Sequence, residues 1–446
     1  MKKPAHLYFW VAVLGIAALT ACSTGTPVNQ EPPQQVREPD ARPNIIYILA
    51  DDLGYGDLSS YGQTRFQTPN IDRLAAQGMK FTQHYAGNTV CAPSRSALMT
   101  GQHTGHTVIR GNKEVQPEGQ HPLPDSIFTL GEMMQAQGYA TGVFGKWGLG
   151  FPGSEGEPNR QGFDRFVGYN CQRLAHHYYP RYLWDNQEKV VFKENAGFEK
   201  GAFAPDYIHA RTLEFIDEHA TKPFFLFVAS PIPHAELIAP DSIMDKFRGK
   251  YLPEKAYEGY DKGGNYRLGP YESQAESHAA FVAMVYLLDK QVGEILDRLD
   301  ALGIAENTLV IFSSDNGPHQ EGGADPDYFD SNGPLRGYKR DLYEGGIRVP
   351  MIARWPGKVP AGTTAKHISA FWDLMPTLAE ITGAETPENL DGISFLPTLL
   401  RKGQQRAHPY LYWEFHERGG RVALPRSNWE AVKYDYLKAP QAPFEV

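Results

Sequence analysis

From Ile45 to Ala50 every side chain is apolar or aromatic (Asn44-Ile-Ile-Tyr-Ile-Leu-Ala50), and the run stops at two carboxylates, Asp51 and Asp52. A short, continuous apolar run predicts a strand buried on both faces. Thr308 to Ser313 repeats the pattern and leads to Asp315 and Asn316. Further strands are expected at Tyr139–Phe144, Phe224–Ser230 and Val349–Arg354. Helices are expected from Pro69, with proline in the first turn and Gly78 as the stop, from Ser126 to Gly138, from Glu276 to Leu302 ahead of Gly303, and from Leu374 to Ile381. The alternation predicts an α/β fold: a large, mostly parallel sheet sandwiched by helices. From about Pro409 the period changes. Tyr410–Phe415 and Trp429–Lys433 alternate like the strands of a hairpin, which predicts a small antiparallel annex.

The N-terminus follows a different pattern. Lys2 and Lys3 precede a short apolar stretch, Leu7 to Leu19, and then Leu19-Thr20-Ala21-Cys22. This resembles a bacterial lipoprotein cleavage box, which implies removal of residues 1–21 and lipidation of Cys22. An ordinary secretory peptide or an uncleaved anchor are the alternatives. Acyl chains on Cys22 would fix the protein to a bacterial cell envelope, with Ser23 favouring the outer membrane, on its periplasmic or surface side. Residues 22–42 are rich in Pro, Gln and Thr and read as a solvated tether. Residues 43–405 are then the catalytic domain and 406–446 the annex.

Composition narrows the function. The 446 residues carry 43 Lys+Arg against 52 Asp+Glu, a formal charge of −9, which argues against a nucleic-acid partner held by phosphate neutralisation. Hydrophobic residues at 41% and charged residues at 21% are those of a globular protein, not a disordered one. Three cysteines, Cys22, Cys91 and Cys171, are too few for a disulfide scaffold. Cys171 reads as a semi-buried thiol.

Asp51, Asp52, Asp315 and Asn316 follow two strands expected to be buried. Buried carboxylates are costly unless compensated, and hard oxygen donors with an amide oxygen suit Ca²⁺ or Mg²⁺ rather than zinc. Either pair alone would read as a helix cap; two matching pairs at strand ends point to a metal.

The segment Cys91-Ala92-Pro93-Ser94-Arg95 resembles the C-x-P-S-R signature of the type I sulfatases of the alkaline phosphatase superfamily. Four further blocks occur in family order: Asp51-Asp52-Leu53-Gly54-Tyr55-Gly56-Asp57, Gly145-Lys146-Trp147, Asp315-Asn316-Gly317, and Gly337-Tyr338-Lys339 with Glu344-Gly-Gly-Ile-Arg-Val-Pro350. The resemblance spans roughly residues 43–440. It implies that a maturation enzyme oxidises Cys91 to Cα-formylglycine. One hydroxyl of the hydrated aldehyde attacks sulfur; the other expels sulfate and restores the aldehyde. It also implies a single metal, Ca²⁺ before Mg²⁺, held by Asp51, Asp52, Cys91, Asp315 and Asn316. Arg95, one helical turn from Cys91, would orient the nucleophile. Lys146 and Lys339 would stabilise the sulfuryl oxygens, and His234, with Lys339, would protonate the leaving alcohol.

One block departs from the family pattern. Many members read Gly-Lys-Trp-His-Leu-Gly, whereas this chain has Gly148 in place of the histidine. Either activity is reduced, or another histidine fills the space: His319, His176 or His177. A branch of bacterial sulfatases that this chain resembles shares Gly148 together with the segment Gln161 to Arg173, which favours a specialised pocket. That resemblance implies a sulfated glycan as substrate, of a galactose type sulfated at carbon 4. Arg173, Arg336 and Arg340, with His176 and His177, are candidate contacts to it; Trp413, Glu414 and His416 of the annex are candidates for an outer wall. Two rival readings remain: a formylglycine-dependent phosphonate or phosphodiester hydrolase, and a catalytically silent lipoprotein that binds sulfated glycans. Relatives run on for some tens of residues in the annex, so this one is expected to be short or cut.

Overall fold

The computed structural model describes residues 42–264, 266–426 and 429–446. The expected signal peptide, most of the tether and the lipidation site at Cys22 lie outside the described residues. Among those described, eleven strands form one sheet: β1 (Asn44–Ala50), β2 (Met79–Tyr85), β3 (Ala140–Lys146), β4 (Arg165–Tyr169), β5 (Tyr182–Asp185), β6 (Glu188–Val191), β7 (Phe224–Ala229), β8 (Thr308–Ser314), β9 (Arg348–Arg354), β10 (Thr363–Ala365) and β11 (Ser369–Ala370). Their spatial order is β10-β2-β9-β8-β1-β7-β3-β4-β5-β6, with β11 also on β2.

The apolar runs are the middle of this sheet. Tyr47 of β1 sits between Phe227 of β7 and Ile311 of β8, both parallel to it. Alternate residues of β1 then enter different cores. Ile46, Ile48 and Ala50 face the helices Ala204–Glu218 and Ser277–Ala301. Ile45, Tyr47 and Leu49 face the helices Cys91–Thr100, Leu130–Ala136 and Leu374–Thr382. The sheet is mixed, because β9 runs antiparallel to both β8 and β2.

Two local expectations change. The helix expected from Ser126 begins at Leu130, because Thr129 caps it in a capping box with Glu132. The two annex segments do not pair with each other. Trp413–Phe415 (β12) and Trp429–Tyr434 (β14) flank Arg421–Arg426 (β13) in an antiparallel sheet. This annex is joined to the large sheet by a shared core. Trp413, Phe415, Ala423 and Val432 pack with Val90 and Ala97, at the start and middle of the Cys91 helix. Trp413 is fully buried and donates Nε1–H to the Ala86 carbonyl at 2.9 Å, so it supports the Cys91 helix from behind and forms no outer wall.

Candidate active site

The ends of β1 and β8 are held together before any side-chain chemistry begins. Asp315 N donates to the Ala50 carbonyl at 3.0 Å, and Asp52 N donates to Asp315 Oδ1 at 3.0 Å. Asp52 has φ = +64°, a left-handed conformation that Asp tolerates better than most residues and that breaks the strand. Gly317 lies so close to Gly345 that a Cβ would meet its carbonyl oxygen at 1.9 Å, so the Glu344-Gly345-Gly346 turn packs against a position that must be glycine.

Cys91 opens a ten-residue helix, every residue of which is buried. It sits where the helix dipole favours negative charge. Its Sγ donates to Asp51 Oδ1 at 3.5 Å and accepts from Lys146 Nζ at 3.3 Å. Four residues on, and so on the same face, Arg95 donates Nε–H and a terminal N–H to Asp315 Oδ2 at 3.2 and 2.9 Å. Its other terminal nitrogen donates to the Lys146 carbonyl, which ties the helix to the end of β3. Lys146 Nζ reaches Asp51 Oδ2 at 2.6 Å. Lys339 Nζ donates to Asp52 Oδ2 at 2.7 Å, to His234 Nε2 at 3.0 Å and to Glu321 Oε2 at 3.3 Å. Thus three carboxylates, Asp51, Asp52 and Asp315, meet three cations, Arg95, Lys146 and Lys339, all out of reach of solvent.

Burial and pairing set the charges. Burial pushes Asp51 up, but Lys146, His234 and Arg95 outweigh it and hold the carboxyl well below its usual range. Asp315 goes the other way, to about 7, through burial and the charge of Asp51. Burial alone would strip the proton from Lys339; Asp52 and Glu321 keep it on. Burial, then Lys339, lowers His234 to about 4. Its Nδ1–H donates to the Ala235 carbonyl, so Nε2 presents a lone pair to Lys339. Burial raises the Cys91 thiol far above its ordinary value.

Asp51, Asp52, Cys91 and His234 bring ligand atoms within 4.8 Å of one another. Asn316 adds the observation that tests a metal directly. Its Nδ2 donates to Asp52 Oδ1 at 2.7 Å and to the Gly317 carbonyl at 2.9 Å, while its buried Oδ1 has no partner. A buried carbonyl oxygen left unpaired among carboxylates is the donor a hard divalent cation requires. The residues present fit such an ion.

The remaining expected residues divide. His234 stands between His176 and His319 in a stack, with ring centroids 5.0 and 5.4 Å apart. At φ = +78°, a Cβ on Gly148 would lie 1.9 Å from Gln172 Nε2, so Gln172 fills the space beside Gly148, while His176 and His319, two of the histidines expected to stand in, flank His234. His177 is buried, with Nδ1 3.2 Å from Glu236 Oε2 and Nε2 accepting from Gly269 N at 2.8 Å. With both nitrogens engaged it holds loops together and offers nothing to a sugar. The Arg336 side chain is 73% exposed, stacks on Tyr343 and pairs with Glu445. Arg173 lines a cavity of about 390 Å³ with Glu114, Glu118, Tyr182, Lys189 and Cys171. Cys171 is buried, and burial raises its thiol to about 11. Arg340 pairs with Glu321. Glu414 pairs with Arg110 at 2.7 Å and with His416 at 3.0 Å. Glu321 was not singled out by the sequence, and Gln172 entered only as part of the segment Gln161 to Arg173 that accompanies Gly148. Glu321 lies only two residues beyond His319, and that proximity was the one available signal.

Comparison with known proteins gives the family. The sulfatase family matches residues 43–384, and the C-terminal region of N-sulphoglucosamine sulphohydrolase matches residues 337–435. Arylsulfatase A of Bos taurus is 34% identical over 398 residues, covering 83% of this chain and 70% of that protein. N-acetylgalactosamine-6-sulfatase of Sus scrofa is 34% identical over 403 residues, covering 83% and 68%. The crystal structure of Ps i-CgsB in complex with k-i-k-neocarrahexaose aligns with a TM-score of 0.73 at 29% identity, over 90% of this chain and 85% of that one. The chain therefore belongs to the sulfatase family, within the alkaline-phosphatase-like superfamily, and is a sulfatase.

Proposed function

We propose that this sulfatase removes sulfate from a sulfated carbohydrate, of a galactose type esterified at carbon 4, using formylglycine made from Cys91 by a maturation enzyme, and one divalent cation, Ca²⁺ before Mg²⁺. In the same reading, lipid on Cys22 holds the protein at a bacterial cell envelope. The observation that carries the chemistry is the placement of Cys91. A buried side chain at a helix N-terminus, within 3.3 Å of an ammonium and 3.5 Å of a carboxylate, is a site for a nucleophile that attacks an anion.

Conversion of Cys91 supplies a hydroxyl nucleophile and a second hydroxyl through which sulfate can leave. A divalent cation held by Asp51, Asp52, Asp315 and Asn316 supplies Lewis-acid polarisation of the sulfuryl oxygens. This chain's own side chains do the rest. Arg95 fixes Asp315 and the Lys146 carbonyl, and so fixes the frame around residue 91. Lys146 and Lys339 present positive charge to the sulfuryl oxygens. Lys339, kept protonated by Asp52 and Glu321, donates to the neutral His234 Nε2 and is the ammonium that can protonate the departing alcohol oxygen. Relatives named for sulfated amino sugars, and a neighbour crystallised with neocarrahexaose, support a carbohydrate. The choice of carbon 4 rests on the resemblance of residues 161–173.

Sulfate release from a panel of galactosides and glucosamines, each sulfated at one position, tests the substrate. The reading expects 4-sulfated galactose to be the best substrate. Preferred turnover of a phosphonate monoester, or binding of sulfated glycan without release by fully converted protein, would replace it with one of the rivals. The metal has a separate test in thermal unfolding of the chelated protein. Added Ca²⁺ at about 100 times its Kd should stabilise the fold by about 2.7 kcal/mol, through binding to the native state alone. Mg²⁺ at the same concentration should do less. Unfolding that ignores both ions would remove the metal from the account.

A further inference from the structure

The segment after Lys146 and the segment after β4 run side by side beyond the sheet. Trp147 N donates to the Tyr169 carbonyl at 2.9 Å and Gly148 N donates to the Asn170 carbonyl at 3.0 Å. The pairing places Gln172 over Gly148, and Gln172 N approaches Gln120 Oε1 at 3.4 Å. Gln172 thereby lies over Gly148, two residues along the chain from the lysine that touches Cys91, with Asn170 two residues before it and Gln120 against its backbone N–H. Each is more than nine-tenths buried: Gln120 is 1% exposed, Asn170 3% and Gln172 5%. Their polar atoms are not satisfied. Gln172 lacks a partner at both Nε2 and Oε1, Gln120 lacks one at Nε2 and Asn170 at Oδ1. A buried amide unpaired at both ends is unusual in a folded chain, and two more beside it are more so.

We infer that Gln172, with Gln120 and Asn170, forms a neutral subsite that takes a hydroxyl of the sugar bearing the sulfate ester. The inference rests on the sulfatase reading above and adds to it a contact with the leaving group. The donor and acceptor inventory selects the ligand. Sulfate oxygens only accept, and would face the Gln172 and Asn170 carbonyl oxygens unfavourably. A sugar hydroxyl both donates and accepts, which matches two free N–H groups and two free carbonyl oxygens. The cations that suit sulfate are elsewhere, on Lys146 and Lys339. Gly148 is part of the same device: any side chain there would displace the Gln172 amide. The amides are as deeply buried as Cys91, itself 1% exposed. A cavity of about 390 Å³ is bordered by Gly119, Cys171 and Arg173, the chain neighbours of Gln120 and Gln172.

The test compares two esters on the full chain, with conversion of Cys91 matched by mass: the best sulfated galactoside and 4-nitrophenyl sulfate, whose leaving group has no neighbouring hydroxyl. Gln172→Ala should lower the ratio of their kcat/KM values by about tenfold or more, mainly through KM for the sugar, because a site built to bind a hydroxyl discriminates strongly once the pairing is lost. Gln172→Glu keeps the size but replaces the N–H donor with a charge, and should lower the ratio in the same direction; it decides the matter if the alanine variant unfolds. A ratio within about twofold of the parent in the folded variants, both esters slowing together, would make the amides structural and overturn the inference. A parent protein that releases sulfate from neither ester would overturn the sulfatase reading, and the subsite with it.

Discussion

Cys91→Ala is expected to lower kcat/KM for sulfate esters by on the order of 10⁴-fold or more while leaving the fold intact. The two halves of this expectation come from the same geometry. The Cys91 Sγ has only Asp51 and Lys146 as hydrogen-bonding partners, and those two also bind each other at 2.6 Å. Removing one sulfur atom therefore leaves their ion pair in place and a cavity smaller than a side chain, at a cost of about 1 kcal/mol. Activity has no such reserve, because among the described residues Cys91 Sγ is the nucleophile held between the Lys146 ammonium and the Asp51 carboxylate. Circular dichroism and thermal unfolding would check the fold, and sulfate release the chemistry. Activity within tenfold of the parent would place the nucleophile elsewhere.

Arg95→Ala should be far more damaging to the molecule. The guanidinium is fully buried and makes two hydrogen bonds to Asp315 Oδ2, one to the Lys146 carbonyl, and a 3.8 Å contact with Asp51. Without it, in the metal-free protein, Asp315 is left near Asp51 and Asp52 without its ion-pair partner. Breaking one side of a buried charge pair costs about 3–5 kcal/mol, so both stability and activity should collapse. Arg95→Lys keeps the charge but cannot make the fork that spans Asp315 and the carbonyl, and should recover only part of the loss. Denaturant unfolding measures both. A loss under about 1 kcal/mol for the alanine variant would mean that solvent or another cation reaches Asp315, and that the charge balance drawn here is wrong.

The strands legible in the sequence are those buried on both faces. β1, β7 and β8 are apolar throughout because parallel neighbours and helices cover them, and their ends are marked by Asp51-Asp52 and Asp315-Asn316. β2 was not legible: its burial alternates irregularly and a register shift interrupts its pairing with β9. The annex misled in pairing for a related reason, since its middle strand, Arg421–Arg426, has no strict alternation to announce it. The same division runs through the site. Cys91, Arg95, Lys146, His234 and Lys339 were named from motif positions and converge in space. His177 and Arg336 were named for their chemistry, but one is consumed by Glu236 and Gly269 and the other faces solvent; residue type does not tell which way a side chain points. Gln172 carries no charge and sits in no periodic pattern. The resemblance linked its segment, 161–173, to Gly148, but only the tertiary approach of the two shows which residue of that segment meets the glycine.

The central claim is that Cys91 is the precursor of the nucleophile, and the mass of the tryptic peptide Phe81–Arg95 tests it most directly. In protein made by a host with a working maturation system, that peptide should weigh about 18 Da less than its sequence predicts, and should react with an aldehyde probe, because oxidation to formylglycine replaces the thiol by an aldehyde. A peptide of unchanged mass, with a thiol that still alkylates and no aldehyde, in protein that nevertheless releases sulfate, would contradict the account.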